Sequence, residues 1–402
     1  MEAETSRVLI DLLIVFACGK VMGELFEWLR QPAVIGELLA GVLIGPGLLG
    51  WVQPGTVLST VATMGVIVLM FVVGLETRPS SLFKVGGRAF VVATLGVILP
   101  FAAGFWLASA YGLAGPEAMF IGTALVATSV GITARVLADR GFLSTTEARI
   151  ILAAAVIDDV LGMLVLSLVV GSARGGVDAV HIGILLAQVV AFLGFELFVA
   201  PKLVSRHAHW LDHLKIPNAG FVVALIVMLA MAALSEAIGL AGIVGAFFAG
   251  MMFAETEDRF ELVKQSRPLY EWLVPYFFVV TGMQVKPSLF TSPQVVIPGL
   301  VLVAVAVATK VIGCGLGAYG MGARRMLAIG VGMVPRGEVG LIVASTGLAM
   351  GVIGAPTYSM IILVVVVSTV IVPPLLAVIF PWAITERPEL AEEAAAESVL
   401  VP

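Results

Sequence analysis

Residues 146–173 form one long apolar run that carries two adjacent acids, Asp158 and Asp159, near its middle. At about 1.5 Å of rise per helical residue, the run is long enough to cross a bilayer. Each Asp at the membrane centre costs about 2.5–3.5 kcal/mol to insert, so two cost roughly 5–7 kcal/mol if the costs add. The carboxylates therefore need a wet cavity, a counter-cation or a bound ion, and we interpret them as a site for cations and protons. The alternative is a structural pair satisfied by neighbouring helices.

The remaining sequence also has the composition of a membrane protein. Of its 402 residues, 60% are hydrophobic and 12% are charged, whereas a typical soluble domain has about 25% charged residues. The apolar stretches separate into thirteen segments, so we predict an all-α polytopic membrane protein with thirteen transmembrane helices. The segments cover approximately residues 8–27, 33–49, 57–76, 87–110, 117–138, 146–172, 181–204, 217–237, 240–254, 270–284, 294–319, 326–350 and 357–383.

Several functional classes lack support in the sequence. We find no basic footprint of the kind that binds nucleic acid and no GxxxxGK[ST] motif for nucleotide phosphates, so we expect neither partner. The two cysteines, Cys18 and Cys314, lack the CxxC spacing of a zinc site or a disulfide framework. We therefore expect no cofactor and no catalytic residues. The expected partner of the chain is the lipid bilayer that surrounds it.

Three short patterns recur along the chain at offsets of 207 to 209 residues. Such an offset spans seven segments, an odd number, so the two copies must face opposite ways across the membrane. We predict two inverted six-helix repeats joined by a linking helix at about residues 181–204, an arrangement that places a transport site at the bilayer midplane. The recurring pairs are Gly36-x-x-x-Ala40-Gly41 with Gly245-x-x-x-Ala249-Gly250, Phe71-Val72-Val73 with Phe278-Val279-Val280, and Val130-Gly131 with Val339-Gly340.

Lys and Arg residues are distributed unevenly between the two sides of the membrane. If the N-terminus lies outside, seventeen of the 22 fall in cytoplasmic connections and three, Arg7, Arg174 and Lys286, fall outside. Cytoplasmic enrichment of Lys and Arg is the usual pattern, and an odd number of helices then places the C-terminus in the cytoplasm. The remaining two of the 22 basic residues, Lys310 and Arg336, lie within apolar segments.

Two segments related by the repeat contain polar or helix-breaking residues at membrane depth. The first includes Thr128 and Ser129, and the second includes Pro-Arg-Gly-Glu at positions 335–338. Pro and Gly open a helix, and open backbone within a bilayer must be covered by protein or water. We predict two discontinuous helices that cross near the Asp pair and bring opposed dipole ends together.

The polar side chains at the two breaks each have two interpretations. Thr128 and Ser129 offer hydroxyl and carbonyl oxygens, which suit a hard cation, or they serve ordinary helix–helix packing. Arg336 and Glu338 form a mutual ion pair that closes the break, or they contact the substrate directly. The sequence alone leaves both alternatives open.

Lys310 lies inside the apolar segment VLVAVAVATKVIGCG. A buried ammonium needs an anionic partner, and Asp158 or Asp159 is the obvious one. We expect Lys310 to pair with Asp158 when the cation site is empty. The alternative is that its long side chain reaches the membrane interface, which the roughly ten apolar residues on each side disfavour.

Taken together, these residues resemble the bacterial sodium/proton antiporters of NapA type, in the cation/proton antiporter superfamily. The resemblance covers essentially the whole membrane part, and the combination of two adjacent acids with a membrane Lys is specific. It is carried by Ile157-Asp158-Asp159, Thr128-Ser129, Lys310, Pro335-Arg336-Gly337-Glu338, and Pro32-Ala33-Val34-Ile35-Gly36-Glu37 with Ala40-Gly41 and Gly45-Pro46.

The resemblance implies a homodimer in a bacterial inner membrane, in which a core domain of each protomer moves against a dimerisation domain. The implied divisions are residues 1–86 and 215–292 for the dimerisation domain, 87–173 and 293–384 for the core domain, 174–214 for the linking helix and 385–402 for a cytoplasmic tail.

The resemblance also implies roles for individual residues. Asp159 is expected to be the main cation ligand and proton carrier, and Asp158 the partner of Lys310, with both acids near Na⁺. Thr128 and Ser129 are expected to contribute to the unwound site. An Asp-Asp site resembles the electrogenic branch, in which two protons exchange for one sodium ion and serve pH homeostasis by alternating access.

Three alternatives to sodium/proton exchange remain at this point. The nearest keeps the fold and exchanges protons for K⁺, or for Li⁺ alongside Na⁺. An intramembrane aspartyl protease also uses two membrane acids, but it resembles YD and GxGD motifs on separate helices, whereas here the acids are sequence neighbours. A channel would differ in turnover, because it carries a steady current far above transporter rates.

Overall fold

All the regular secondary structure in the described parts of the chain is helical. The computed structural model describes residues 2–173, 179–211, 216–285 and 292–384, which form seventeen α-helices and one π-helical turn. Helices are expected because lipid offers no hydrogen-bond partners to the backbone, and a helix satisfies its own N–H and C=O groups. The helices are α1 (Glu2–Trp28), α2 (Ala33–Ile44), α3 (Thr56–Leu75), α4 (Pro79–Ala110), α5 (Gly115–Val126), α6 (Val130–Asp139), α7 (Thr146–Ala173), α8 (Ala179–Gly194), α9 (Ala200–Leu211), α10 (Ala219–Ala237), α11 (Gly242–Phe253), α12 (Glu257–Phe260), α13 (Leu262–Met283), α14 (Pro293–Gly317), α15 (Ala323–Gly332), α16 (Glu338–Ala349) and α17 (Ala355–Ala383).

Seven helical stretches in the described residues are long and apolar enough to cross a membrane, and shorter apolar helices accompany them. The predicted all-α polytopic class is therefore confirmed, while the count of thirteen transmembrane helices stays a prediction. Three helices begin earlier than the apolar segments that predicted them: α1 at Glu2, α4 at Pro79 and α13 at Leu262. Hydropathy marks the part of a helix that lies in lipid, whereas the helical backbone continues into the polar interface.

The two segments with helix breaks are interrupted as predicted. Helix α5 ends at Val126 and α6 begins at Val130, while α15 ends at Gly332 and α16 begins at Glu338. The linking segment stays helical but contains a π-helical turn over Phe195–Val199 between α8 and α9.

Close helix contacts repeat between the two halves of the chain. A β-carbon on Gly36 would overlap the backbone carbonyl of Met22, and one on Gly245 would overlap that of Met231. Both members of the second contact lie 209 positions after those of the first, which is the offset of the sequence patterns. These contacts support the predicted repeat at the level of backbone packing. A second set repeats in the same way, with Gly41 against Val279 and Gly250 against Phe71.

The helices fall into two groups by their packing. Helices α1, α2, α3, α10, α11 and α13 pack mainly with one another, and so do α4 to α7 with α14 to α17. Smaller contacts join the groups, where α6 meets α2 and α3 and where α17 meets α2. The first group covers most of the residues that the resemblance assigns to the dimerisation domain, and the second most of those it assigns to the core domain, although α4 of the second group begins at Pro79. The division into two domains and their relative movement stay predictions.

Candidate ion-binding site

A buried ion pair lies at the centre of the long helix α7. The ammonium of Lys310, on α14, donates to Oδ1 of Asp158 at 2.8 Å, and both side chains are 0% exposed. The expected pairing is therefore present in the structure. The alternative, in which Lys310 reaches the membrane interface, is wrong because its side chain has no exposed surface.

Lys310 makes two further hydrogen bonds that fix its position. Its ammonium donates to the carbonyl oxygen of Gly96 at 2.9 Å and to that of Val126 at 2.8 Å. Three acceptors match the three N–H donors of an ammonium. Val126 is the last residue of α5, where the helix dipole is negative, so Lys310 also compensates the end of a half-helix.

The two interrupted helices meet at their breaks. The backbone N–H of Ser129 donates to the carbonyl of Pro335 at 2.7 Å. The hydroxyl of Thr128 donates to the carbonyl of Met333 at 3.3 Å, and that of Thr133 to the carbonyl of Gly332 at 2.6 Å. These bonds satisfy carbonyls at the C-terminal end of α15 that have no partner within the helix. The Thr128 hydroxyl is therefore engaged in helix–helix contact, although its oxygen keeps lone pairs that could face a cation.

Arg336 occupies the second break in a way that mirrors Lys310. Its guanidinium is fully buried and donates to the carbonyls of Val334 at 2.6 Å, Met333 at 3.4 Å and Ala306 at 3.4 Å. Two of these carbonyls follow the end of α15, so each half-helix that ends at the crossing has a basic side chain at its negative end. The predicted ion pair with Glu338 is not described, because the side chain of Glu338 lies outside the described residues.

The second acid of the pair is almost completely buried. Asp159 follows Asp158 on α7, is rotated about 100° around the helix axis, and is 7% exposed. Oδ2 of Asp158 has no hydrogen-bond partner among the described residues. A carboxylate oxygen without a donor at this depth is available to a proton or a cation.

A cavity of about 170 Å³ lies beside the crossing. It lies between the two helix groups, and Ser129 and Gly337 line it at the starts of α6 and α16. Opposite them are residues near the beginning of α3, including Ser59 and Thr63, and Thr281 near the end of α13. The two Asp side chains are not part of its lining.

A second group of buried polar residues lies where α6 meets α2 and α13, and it was not predicted from the sequence. The Arg135 cluster consists of Glu37, Arg135, Asp139 and Tyr270, with Arg135 bonded to Asp139 at 2.7 Å. Arg135 is one of the seventeen basic residues that the sequence assigns to cytoplasmic connections, but in the structure it is a buried residue of α6. The missed signal was Glu37, an acid inside an apolar segment, which entered only as part of the resemblance.

The comparisons with known proteins identify the family. The model of the family described as "Sodium/hydrogen exchanger, transmembrane" matches residues 12–382. The chain belongs to this family. The resemblance stated from the sequence is thereby confirmed.

Curated relatives of this exchanger cover nearly its whole length. It is 36% identical over 373 residues to the Na(+)/H(+)-K(+) antiporter GerN of Bacillus cereus, covering 92% of this chain and 95% of the relative. It is 34% identical over 422 residues to the high-affinity Na(+)/H(+) antiporter NhaS3 of Synechocystis, covering 94% of this chain and 91% of the relative. These proteins are transporters, so the exchanger is a transporter and not an enzyme, and the protease alternative is excluded.

A solved structure shares the fold of this exchanger. The sodium proton antiporter MjNhaP1 of Methanocaldococcus jannaschii superposes with a TM-score of 0.69 over 94% of this chain and 96% of that one, at 18% identity. At this identity the likeness concerns the fold alone. It supports an integral, multi-pass membrane protein with the helix arrangement described above.

Proposed function

We propose that this exchanger moves Na⁺ out of the cytoplasm in return for external protons, electrogenically and by alternating access. The observation that carries the proposal is the fully buried Asp158–Lys310 pair beside a second buried acid, Asp159. A neighbouring cation stabilises an ionised carboxylate, whereas loss of water favours its neutral form. Na⁺ and protons therefore compete for the same group, and only one can occupy it at a time.

The charges around the site explain why exchange would be coupled. When Lys310 is protonated and paired with Asp158, the carboxylate of Asp159 is proposed to take the transported ion. One Na⁺ or one proton neutralises this carboxylate, so either loaded form crosses a low-dielectric barrier more cheaply than the empty form. A second proton carrier is needed for two protons per Na⁺, and Lys310 is the candidate because it loses its anionic partner if Asp158 turns towards Na⁺.

The crossing residues are proposed to complete the cation site. Ser129 lines the cavity at the start of α6, and Thr128 directs its hydroxyl at the opposite half-helix. Arg336 is proposed as a support for the crossing, because its guanidinium binds carbonyl oxygens. No role is assigned to Glu338 beyond the sequence prediction.

The orientation and assembly of the exchanger are part of the same proposal. The Lys and Arg distribution supports an N-terminus outside and a C-terminus in the cytoplasm. The cavity near the start of α3 then lies towards the external side, and we infer an outward-facing conformation from this position. The core domain is proposed to move against a dimerisation domain that joins two copies of the chain. Light scattering of the purified exchanger in detergent would give twice the 41.9 kDa chain mass for a dimer.

Cation selectivity is tested by flux measurements in proteoliposomes. The first relative described above includes K⁺ in its name, so K⁺ and Li⁺ are compared with Na⁺ at equal concentrations, using dequenching of a trapped pH dye. Na⁺ should drive proton movement in liposomes with the exchanger and not in empty liposomes. Proton movement driven by K⁺ but not by Na⁺ would contradict the sodium assignment.

A further inference from the structure

We propose that the Arg135 cluster is a latch that holds the cytoplasmic side of the transport path closed in this conformation. The inference rests on the proposed function, since a latch has meaning only in a protein that alternates between two open sides. Arg135 and Asp139 lie on α6 of the core domain, whereas Glu37 on α2 and Tyr270 on α13 lie in the dimerisation domain.

The cluster joins the two domains through a buried guanidinium. Arg135 is 8% exposed and Glu37 is 2% exposed, with Nη2 of Arg135 at 3.9 Å from Oε1 of Glu37. The guanidinium carbon lies 4.9 Å from the ring centroid of Tyr270, within the range of a cation–π contact. The Tyr270 hydroxyl donates to Oδ1 of Asp139 at 3.3 Å.

The cluster and the outer cavity lie at opposite ends of the same boundary. Helix α13 runs past both, with Tyr270 at the cluster and Thr281 in the lining of the cavity. Eleven residues separate these positions, which corresponds to about 16 Å along the helix. The boundary is therefore open beside the crossing on one side and occupied by charged and aromatic side chains on the other.

The bonding within the cluster is suited to repeated opening. The Arg135–Asp139 bond is made within α6 and would travel with that helix. The contacts that must break are those to Glu37 and Tyr270, and the first is too long for a hydrogen bond. Nη1 of Arg135 and Oε2 of Glu37 have no hydrogen-bond partner among the described residues. A buried ion pair in which every donor and acceptor is hydrogen-bonded would be costly to separate. Fewer hydrogen bonds are lost when Arg135 and Glu37 move apart with their domains, so their separation costs less free energy.

The test compares the two faces of the membrane. A conformation that is only partly populated lowers the apparent affinity of its own binding site in proportion to its population. Loss of the latch should populate the inward-open form. The half-saturating Na⁺ concentration should then fall at the cytoplasmic face and rise at the external face, so the ratio of the cytoplasmic value to the external value should fall. In Glu37→Gln and Arg135→Gln we expect this ratio to fall by about fivefold or more, measured in everted and right-side-out membrane vesicles.

Two variants separate a latch from a general structural role. Arg135→Lys keeps the positive charge and should shift the ratio less than Arg135→Gln. Glu147→Gln breaks another ion pair of a buried carboxylate, with the partly exposed Arg325 at 3.3 Å, but both partners lie in the helix group of the core domain. This control should leave the ratio at its wild-type value, because no contact across the boundary is lost.

The outcomes distinguish the latch from the proposed function. An unchanged ratio in Glu37→Gln and Arg135→Gln, with Na⁺-driven flux intact, would overturn the latch alone. An equal shift in Glu147→Gln would also overturn it. Absence of Na⁺-driven flux in the wild-type exchanger would overturn the proposed function and the latch with it. If the charge variants do not fold, Tyr270→Phe removes only the hydroxyl that binds Asp139, and an unchanged ratio in that variant would count against the latch.

Discussion

At the scale of single residues, the site depends on which charges have partners. Asp158 has Lys310, whose ammonium is satisfied by three oxygens. Asp159 is the adjacent acid in the same buried helix. The two acids therefore differ in role: Asp158 is paired with a cation of the protein, and Asp159 is proposed to bind the transported ion.

We expect Asp159→Asn to abolish exchange, because an amide cannot take up and release a proton near neutral pH. Na⁺-driven proton flux in proteoliposomes should fall to that of empty liposomes, while the protein stays folded by size-exclusion chromatography. Glu117→Gln serves as the matched control, because it removes a carboxylate at the start of α5. The Thr357 hydroxyl donates to this carboxylate at 2.6 Å, and the Gln side chain keeps an oxygen that can accept the bond. Sodium/proton exchange retained in Asp159→Asn would refute the assigned role.

A second prediction concerns the ion pair itself. Asp158→Asn or Lys310→Gln leaves one charge buried without its partner, which typically costs about 3–5 kcal/mol. The loss of stability in the double variant, measured by thermal unfolding in detergent, should be smaller than the sum of the losses in the two single variants.

The same variants test the role of the ion pair in transport. Transport by Asp158→Asn should lose its voltage sensitivity. Lys310→Gln should change the charge moved per Na⁺ more than it changes the affinity for Na⁺. Additive stability effects, or a wild-type reversal potential in Lys310→Gln, would contradict this account.

The sequence could predict the Lys310 partner but not the surroundings of Arg336. A buried cation in lipid needs an anion, and the adjacent acids Asp158 and Asp159 near the middle of one apolar run offered one, so a pairing with this Asp pair could be inferred. The carbonyls that bind Arg336 come from the end of α15 and from Ala306 on α14. Backbone carbonyls carry no sequence signature, and they become available only where the tertiary fold leaves a helix end open.

At the scale of helices, the interrupted segments and the glycine contacts determine the architecture. Pro, Gly and polar residues at membrane depth predicted both breaks, and the structure places these breaks against each other. The bounds of the helices were less predictable, because a helix such as α13 extends beyond its apolar part. The π-helical turn in the linking segment had no signal in the sequence, since hydrophobic periodicity does not distinguish it from α-helix.

The repeated glycine contacts give an element-scale prediction. In Gly36→Ala and Gly245→Ala the added methyl group meets backbone atoms, which cannot move aside, so each variant should lose about 1–3 kcal/mol of stability or more. The two losses should be similar because the contacts are equivalent. Gly86→Ala on α4 is the control, since nothing lies within 4 Å of its added β-carbon. Thermal unfolding that leaves Gly36→Ala as stable as this control would argue against the packing described.

At the scale of the whole molecule, two helix groups with a narrow shared boundary suit a carrier in which one group moves. The family and the fold were inferred from a few charged and broken segments, because a membrane interior makes such residues costly and therefore informative. The Arg135 cluster was missed because Arg135 lies near the end of its segment, where position alone does not separate a loop cation from a buried one. The boundary itself is a property of tertiary packing that no single segment displays.

The central claim is that metal ion and protons compete for one buried acidic pair and that each cycle moves net charge. The most direct measurement is Na⁺-dependent proton flux in proteoliposomes of the wild-type exchanger, with the membrane potential clamped at several values. We predict that a Na⁺ gradient drives proton movement in the opposite direction and that a potential alters its rate and reversal point. Proton flux independent of Na⁺, or a reversal point unaffected by the potential, would contradict the account.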